Sequence, residues 1–360
     1  MKLYKNIDYK HINKMLTKSW SKDAVFMHHT GNMFGIGTPV TSEIGVQRIC
    51  DLKSRESGKG FVVLVENIDM IIEYVDEINA AQIRLMEQYY PGNLTMVLKC
   101  SNPLFKDVSL NGTVAFRVPQ NPVLLHFLHC IKIPIVSTSI NKSHYPPATS
   151  LKDISTNYDN WFDFGFTVKK VYQLSNERPS TIVKFDDTIK CIREGSIPFY
   201  ELKRSYETSL ILFVCTGNVC RSPIAEYLLK KAIERDKLPF RSESTGILQD
   251  GMTISANSAA LLLVDDIDAN SHLSRKITEA QLSESWLVLT MEDRHKEILA
   301  KQYPQFAYKV HSLMEFGGES GDIDDPYQKS IEDYKVAYKI IEDKVNYLVR
   351  ILKDEVNIDD

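Results

Sequence analysis

Leu210-Ile211-Leu212-Phe213-Val214-Cys215-Thr216-Gly217-Asn218-Val219-Cys220-Arg221-Ser222-Pro223 is the stretch on which the reading of this 360-residue chain turns. It opens as an unbroken apolar, β-prone run, the pattern of a strand buried on both faces. Gly217 and Asn218 follow, and both tolerate left-handed backbone angles. Ser222-Pro223 then reads as a helix start, with Ser at the cap and Pro where the missing N–H costs nothing. A strand that feeds a tight loop into a helix N-terminus aims several backbone N–H groups at one point, and that point binds phosphate. Here a thiol stands at the mouth of the loop and a guanidinium at its far end, spaced Cys-x5-Arg. Arg221 and the N–H cluster favour the sulfur of Cys215 as an anion, and Arg221 can hold two phosphoryl oxygens side by side. Ser222 can donate to the sulfur.

Cys-x5-Arg alone is a weak pattern, and a cysteine at a strand end is usually core packing. The strand-loop-helix setting, the Ser after the Arg and a downstream Asp325-Pro326-Tyr327 together point to phosphoryl transfer onto sulfur. A leaving alkoxide or phenoxide needs a proton, and a loop carboxyl beside an aromatic ring can supply it.

From about Leu210 to Ile351 the chain resembles the low-molecular-weight protein tyrosine phosphatases, including their protein-arginine-phosphatase branch. The likeness rests on Cys215 to Pro223, Ser244-Thr245-Gly246, Ser271-His272-Leu273-Ser274-Arg275, Trp286 to Met291 and Asp325-Pro326-Tyr327. It implies Cys215 as nucleophile, Arg221 as phosphate clamp and Asp325 as general acid, with no cofactor. It also implies a loop of Thr216, Gly217, Asn218, Val219 and Cys220 braced by Asn218, Ser222, Ser244 and His272, and a phosphorylated protein as substrate. Where the arginine branch carries Thr, four residues after the nucleophile, this chain has Val219. The missing hydroxyl favours phosphotyrosine, whereas Cys215-Thr216-Gly217-Asn218 and the run Glu315 to Tyr327 look more like the arginine branch. Cys220, next to Arg221, is close enough around a curled loop to trap an oxidised Cys215 as a disulfide.

Length and composition frame the rest. A chain of 360 residues is too long for one ordinary core and predicts two domains, 1–205 and 206–360. A net charge of −4 gives no general drive toward nucleic acid. No apolar run approaches membrane-spanning length, and the opening Met1-Lys2-Leu3-Tyr4-Lys5 is not followed by a signal-peptide core, so a cytoplasmic protein with no membrane partner is expected. The six cysteines have no metal-ligand spacing and are expected to be reduced.

Residues 1 to about 20 read as an amphipathic helix. Phe61 to Val65, Leu94 to Leu98, Thr113 to Val118 and Ile133 to Val136 read as strands, while Ser42 to Leu52 and Ile68 to Tyr90 carry helical spacing. The mixture predicts an α/β domain with a twisted, partly mixed sheet, closed near Ile197-Pro198 and followed by a polar linker, Tyr200 to Thr208. The second domain is predicted as a four-stranded parallel sheet with helices on both faces. Its strands would be Leu210–Val214, Phe240–Glu243, Trp286–Met291 and Lys309–His311, closed by a helix from Ile331 to Leu352 that turns Val336, Ile340, Val345 and Leu348 inward.

In the first domain Lys53-Ser54-Arg55 with Lys59 puts three cations near one helix end, suited to a polyphosphate. With Tyr90 to Thr95, Thr113 to Pro119, Ser137-Thr138-Ser139-Ile140-Asn141, Pro179 to Val183 and Arg193-Glu194-Gly195, this order resembles the YrdC family of threonylcarbamoyl-AMP synthases from about Val25 to Ile197. The resemblance implies ATP with Mg²⁺, bicarbonate and L-threonine as substrates. It also implies a carbamoyl-adenylate product that serves tRNA modification, with tRNA or tRNA-modification proteins as partners. Thr30, Lys53, Arg55, Lys59, Arg117, Ser139, Asn141, Ser180, Thr181 and Arg193 would bind nucleotide or threonine. The family's opening Pro-Thr-Asp/Glu-Thr reads His29-Thr30-Gly31-Asn32 here, so an acidic side chain and a hydroxyl are missing. A retained nucleotide- or RNA-binding module that positions the phosphatase is the alternative.

Overall fold

A computed structural model describes residues 2–54, 61–169, 178–186, 188–248 and 250–357. The chain divides into two compact units, one of residues 1–78 and 89–202, the other of residues 79–88 and 203–360.

Among the described residues the first unit holds ten strands in one mixed sheet. They are β1 (Lys2–Ile7), β2 (Phe26–His29), β3 (Phe34–Pro39), β4 (Val62–Leu64), β5 (Leu94–Lys99), β6 (Thr113–Arg117), β7 (Ile135–Ser139), β8 (Phe164–Val168), β9 (Thr181–Phe185) and β10 (Ile189–Arg193). Their spatial order is β1-β8-β2-β3-β7-β4-β6-β5-β9-β10. Parallel pairs such as β1 with β8 are mixed with antiparallel ones such as β3 with β7. One apolar cluster joins Phe26, Ile135, Phe164 and Phe166 to Ile12 and Met15 of the helix Tyr9–Ser19 and to Val123, Phe127 and Leu128 of the helix Pro122–Ile131.

The expected helix over the first twenty residues starts late. Residues 2–7 pair with β8, and Asp8 starts the helix through a capping box with His11. The helical spacing from Ile68 to Tyr90 is likewise split, into Ile68–Tyr74 and Ala80–Tyr89. Val75 turns extended, and Asn79 and Gln82 exchange side-chain to backbone hydrogen bonds of 2.8 and 3.0 Å that start the second helix. The expected linker at Tyr200 to Thr208 is instead the helix Phe199–Glu207.

The second unit carries β11 (Ser209–Cys215), β12 (Phe240–Gly246), β13 (Ser285–Thr290) and β14 (Val310–Ser312), all parallel, in the order β12-β11-β13-β14. The seven residues of β11 are all buried, as a central strand requires. Alternation splits them between two cores. Ile211 and Phe213 pack with the helices Arg221–Asp236 and Ile331–Asn357, and Leu212 and Val214 with Leu282 and Leu299 on the other face. In the closing helix Val345 and Leu348 turn inward as expected and Ile340 packs partly buried against the core, but the first turns are phased differently. Val336 is exposed, and the inward stripe is Tyr334, Ala337, Tyr338, Ile341, Val345, Leu348 and Leu352. Within this unit Arg84 stacks its guanidinium 4.9 Å from the Phe240 ring and donates to Ser209 Oγ at the start of β11. No helix among the described residues is long and apolar enough to cross a membrane.

Candidate active site

The carboxyl end of β11 delivers Cys215 to the crevice where open parallel sheets bind ligands. The loop beyond it closes on itself. Asn218 takes φ +55°, and its N–H donates to Cys215 Sγ at 3.2 Å. Gly246, at the end of β12, lies against this turn, where a Cβ would stand 2.9 Å from Asn218 N. Only glycine allows that approach. The following helix starts at Arg221, two residues before the expected first position at Pro223, and Ser222 does not cap it. Its hydroxyl lies 3.0 Å from Cys215 Sγ instead, since Cys220 and not Ser222 occupies the cap position.

Below the loop the bracing residues form one buried network. Asn218 Nδ2 donates to Ser222 Oγ at 3.0 Å and to Ser244 Oγ at 2.7 Å, while its Oδ1 accepts from Arg275 N at 2.9 Å. His272 Nε2 lies 2.9 Å from the Asn218 carbonyl, and Ser244 donates to the buried carboxylate of Glu226. Each polar group is satisfied by another, which fixes one loop shape.

Arg221 is the largest fully buried side chain in the second unit, at 1% exposure, and its partners define the site. Nη1 donates to Glu292 Oε1 and to the Ile323 carbonyl, both at 2.6 Å, and Nη2 donates to Asp325 Oδ2 at 2.6 Å. Nε is buried with no hydrogen-bond partner, a charged donor left for an anion in the loop. Asp325 is one-third exposed and is held on its other oxygen by Tyr327 N at 3.2 Å. The loop, the clamp and the downstream carboxyl are thus brought together. Val219 packs with Cys220, Tyr334 and Leu261 and is nearly buried. Cys220 is buried, its sulfur 3.3 Å from Tyr334 Oη, and burial pushes its thiol up.

Three residues of this site escape sequence reasoning. Glu292, Arg294 and His295 begin the helix Asp293–Gln302, just past the expected end of a strand at Met291. Glu292 joins Arg221 to Arg294, whose Nη2 is 3.0 Å from Glu292 Oε1. Burial alone would raise the Glu292 carboxyl, but hydrogen bonds from Arg294 and Arg221 outweigh it and hold the group below its usual range. A carboxyl depressed in the folded state stabilises above its ordinary pKa, and the contribution is lost as pH falls through the folded value. Glu292→Gln is therefore expected to lower stability by about 1.5–3 kcal/mol at neutral pH. The gap to the parent chain should narrow in acid. Thermal unfolding between pH 7 and pH 4 measures this, and a gap that widens on acidification would contradict it.

In the first unit a cavity of about 290 Å³ is lined by Thr30, Arg117, Ser139, Ser180 and Arg193 together with Phe34, Ser137 and Thr138. Lys53, Asn141 and Thr181 are not among its lining residues. Lys53 Nζ donates to the carbonyls of Ser139 and Asn141 and to Asn141 Oδ1, at 2.6, 2.9 and 2.9 Å. Thr181 Oγ1 donates to the Ile197 carbonyl at 2.6 Å, tying the strand end. Arg55 and Lys59 lie outside the described residues. Arg117 donates to Asn32 Oδ1 at 3.0 Å and to Asn93 Oδ1 at 2.7 Å, and burial pulls its guanidinium down to about 10. Asn32 also accepts from Thr30 Oγ1 at 2.7 Å, so the residue in the altered signature is an organising acceptor. Gly31 before it takes φ +112°, a conformation other residues rarely adopt.

Residues 18–195 match the family model described as "Telomere recombination" (Sua5, YciO and YrdC proteins), and residues 210–358 match "Low molecular weight phosphotyrosine protein phosphatase". A protein-arginine-phosphatase of Bacillus subtilis is 36% identical over 146 residues, 40% of this chain and 97% of its own length. A low-molecular-weight protein-tyrosine-phosphatase, PtpB, of Staphylococcus haemolyticus is 36% identical over 130 residues, 36% of this chain and 89% of its own. Among solved structures, a YwlE mutant from Bacillus subtilis matches at 35% identity and a TM-score of 0.39, over 41% of this chain and 99% of that one.

Proposed function

Since the chain belongs, through residues 210–358, to the low-molecular-weight phosphotyrosine protein phosphatase family, we propose that this half hydrolyses phosphotyrosine in proteins through a cysteinyl-phosphate. The observation that carries this is Cys215 Sγ held by Ser222 Oγ and Asn218 N, with Arg221 close by and its Nε unpartnered. The sulfur attacks phosphorus, the bond from phosphorus to the tyrosyl oxygen breaks, and Asp325 gives that oxygen its proton. Water then attacks the phosphorus, Asp325 takes its proton, and the S–P bond breaks to release phosphate. Arg221 and the loop N–H groups stabilise the equatorial oxygens in both steps.

Val219, which lacks the hydroxyl of threonine, supports phosphotyrosine over phosphoarginine. The arginine reading is the second one. It is favoured by the likeness of Cys215 to Asn218 and Glu315 to Tyr327 to that branch, and by an acidic run, Asp322, Asp324 and Asp325, whose last member touches the clamp. Steady-state hydrolysis of matched phosphotyrosine and phosphoarginine peptides decides, with a higher kcat/KM for the former expected.

For the first unit we infer an L-threonylcarbamoyladenylate synthase using ATP with Mg²⁺, bicarbonate and L-threonine, acting in the cytoplasm for tRNA modification. Two guanidiniums and a set of hydroxyls around one cavity suit a polyphosphate and work by neutralising the departing pyrophosphate. The domain limits proposed for this division of labour are 1–205 and 206–360. In the full chain, pyrophosphate release should require all three substrates and fall at least tenfold in Arg193→Ala, with no change in Cys215→Ser. Nucleotide binding without release would favour the binding-module reading.

A further inference from the structure

His295 is 2% exposed in the first turn of its helix, and the mechanism above gives it no step. Its Nε2 lies 2.9 Å from the hydroxyl of Thr216, the residue after the nucleophile, and 3.7 Å from Glu292 Oε1. Its Nδ1 is buried without a partner. Burial lowers its pKa to about 4, so the ring is neutral at physiological pH and carries one proton. A proton on Nδ1 would face no acceptor, at a cost of about 1–3 kcal/mol. A proton on Nε2 points at an oxygen and lies near a carboxylate, which favours that tautomer.

The consequence falls on Thr216. Its Oγ1 already accepts from Arg294 Nη2 at 3.3 Å, and an arginine can only donate. With His295 Nε2–H donating as well, both lone pairs of the hydroxyl are used and its hydrogen is left over. Thr216 is half-exposed at the mouth of the loop, and its own carbonyl is taken by Ile247 N and Leu248 N at 3.0 and 3.1 Å. The O–H is therefore left with no partner among these neighbours and can donate to an incoming group.

We propose that His295 is a positioning residue that holds the Thr216 hydroxyl as a double acceptor, making Thr216 a donor to a peptide carbonyl beside the phosphorylated residue. This rests on the phosphatase reading and adds to it a contact with substrate outside the phosphoryl group. A small aryl phosphate has no such carbonyl. One neutral hydrogen bond is worth roughly fivefold.

The test combines two measurements on the full chain. Nitrogen-15 NMR of the imidazole should place the His295 proton on Nε2, and a proton on Nδ1 would overturn the proposal. In parallel, kcat/KM for a phosphopeptide is divided by that for p-nitrophenyl phosphate. The ratio should fall about fivefold in Thr216→Val and in His295→Ala, no further in the double variant, and recover in His295→Gln, whose amide nitrogen reaches the place of Nε2 and can still donate. An unchanged ratio, or two effects that multiply, would refute it. If His295→Ala does not fold, Thr216→Val and the tautomer decide. If neither substrate is hydrolysed by the parent chain, the phosphatase reading fails; if both are hydrolysed with an unaltered ratio in the variants, only this proposal does.

Discussion

Replacing Cys215 by serine is expected to abolish turnover, with kcat reduced by about four orders of magnitude or more. The sulfur sits 3.0 Å from Ser222 Oγ and 3.2 Å from Asn218 N, two polar groups placed without help from substrate. A serine oxygen in the same place is a poorer nucleophile at neutral pH and sits farther from an incoming phosphorus. Arg221 is untouched by the change, and its Glu292 and Ile323 contacts keep it in place. The variant should thus still bind a phosphopeptide or inorganic phosphate. Steady-state kinetics with isothermal titration calorimetry separates the two effects, and loss of binding together with turnover would mean that the substitution had disrupted the loop.

Asp325→Asn is the second large effect. A general acid contributes about 10²–10⁴-fold, and its importance depends on the leaving group. Tyrosine leaves as a basic phenoxide and needs the proton, whereas p-nitrophenoxide leaves almost unaided. The variant should lose about 10²–10³-fold in kcat for a phosphotyrosine peptide and much less for p-nitrophenyl phosphate. A series of aryl phosphates should show a steeper dependence on leaving-group basicity than the parent chain. The Asp325 to Arg221 contact gives a competing structural account, since Asn also weakens the clamp. An equal loss across the series would support that account and remove Asp325 as the acid.

What the sequence discloses and what it hides follow from the range of the interactions. The run Leu210 to Val214, the glycine turn and the helix after it are local, and all three are present, with the helix start shifted by two residues to Arg221. Asn218, Ser222, Ser244 and His272 come from a family resemblance. Nothing in their spacing says that Asn218 Nδ2 bridges Ser222 to Ser244, residues that meet only because β11 and β12 pair in parallel. Glu292 and His295 are hidden for another reason. An acid and a histidine in a helical first turn look like ordinary solvated residues, and only the fold brings them to Arg221 and Thr216. In the first unit the order of ten strands rests on pairings far apart in sequence, such as β1 with β8, which no local pattern encodes. Lys53 illustrates the same limit, since its position at a helix end suggests a phosphate ligand while its ammonium is tied to the carbonyls of Ser139 and Asn141.

The most direct measurement is to look for the intermediate itself. Asp325→Asn, mixed rapidly with p-nitrophenyl phosphate, whose leaving group needs no proton, and quenched, should yield a chain carrying one phosphoryl group, and peptide mapping by mass spectrometry should place it on the sulfur of Cys215. Phosphate release with no phosphorylated enzyme at any quench time, or a phosphoryl group found on another residue, would contradict covalent catalysis by Cys215.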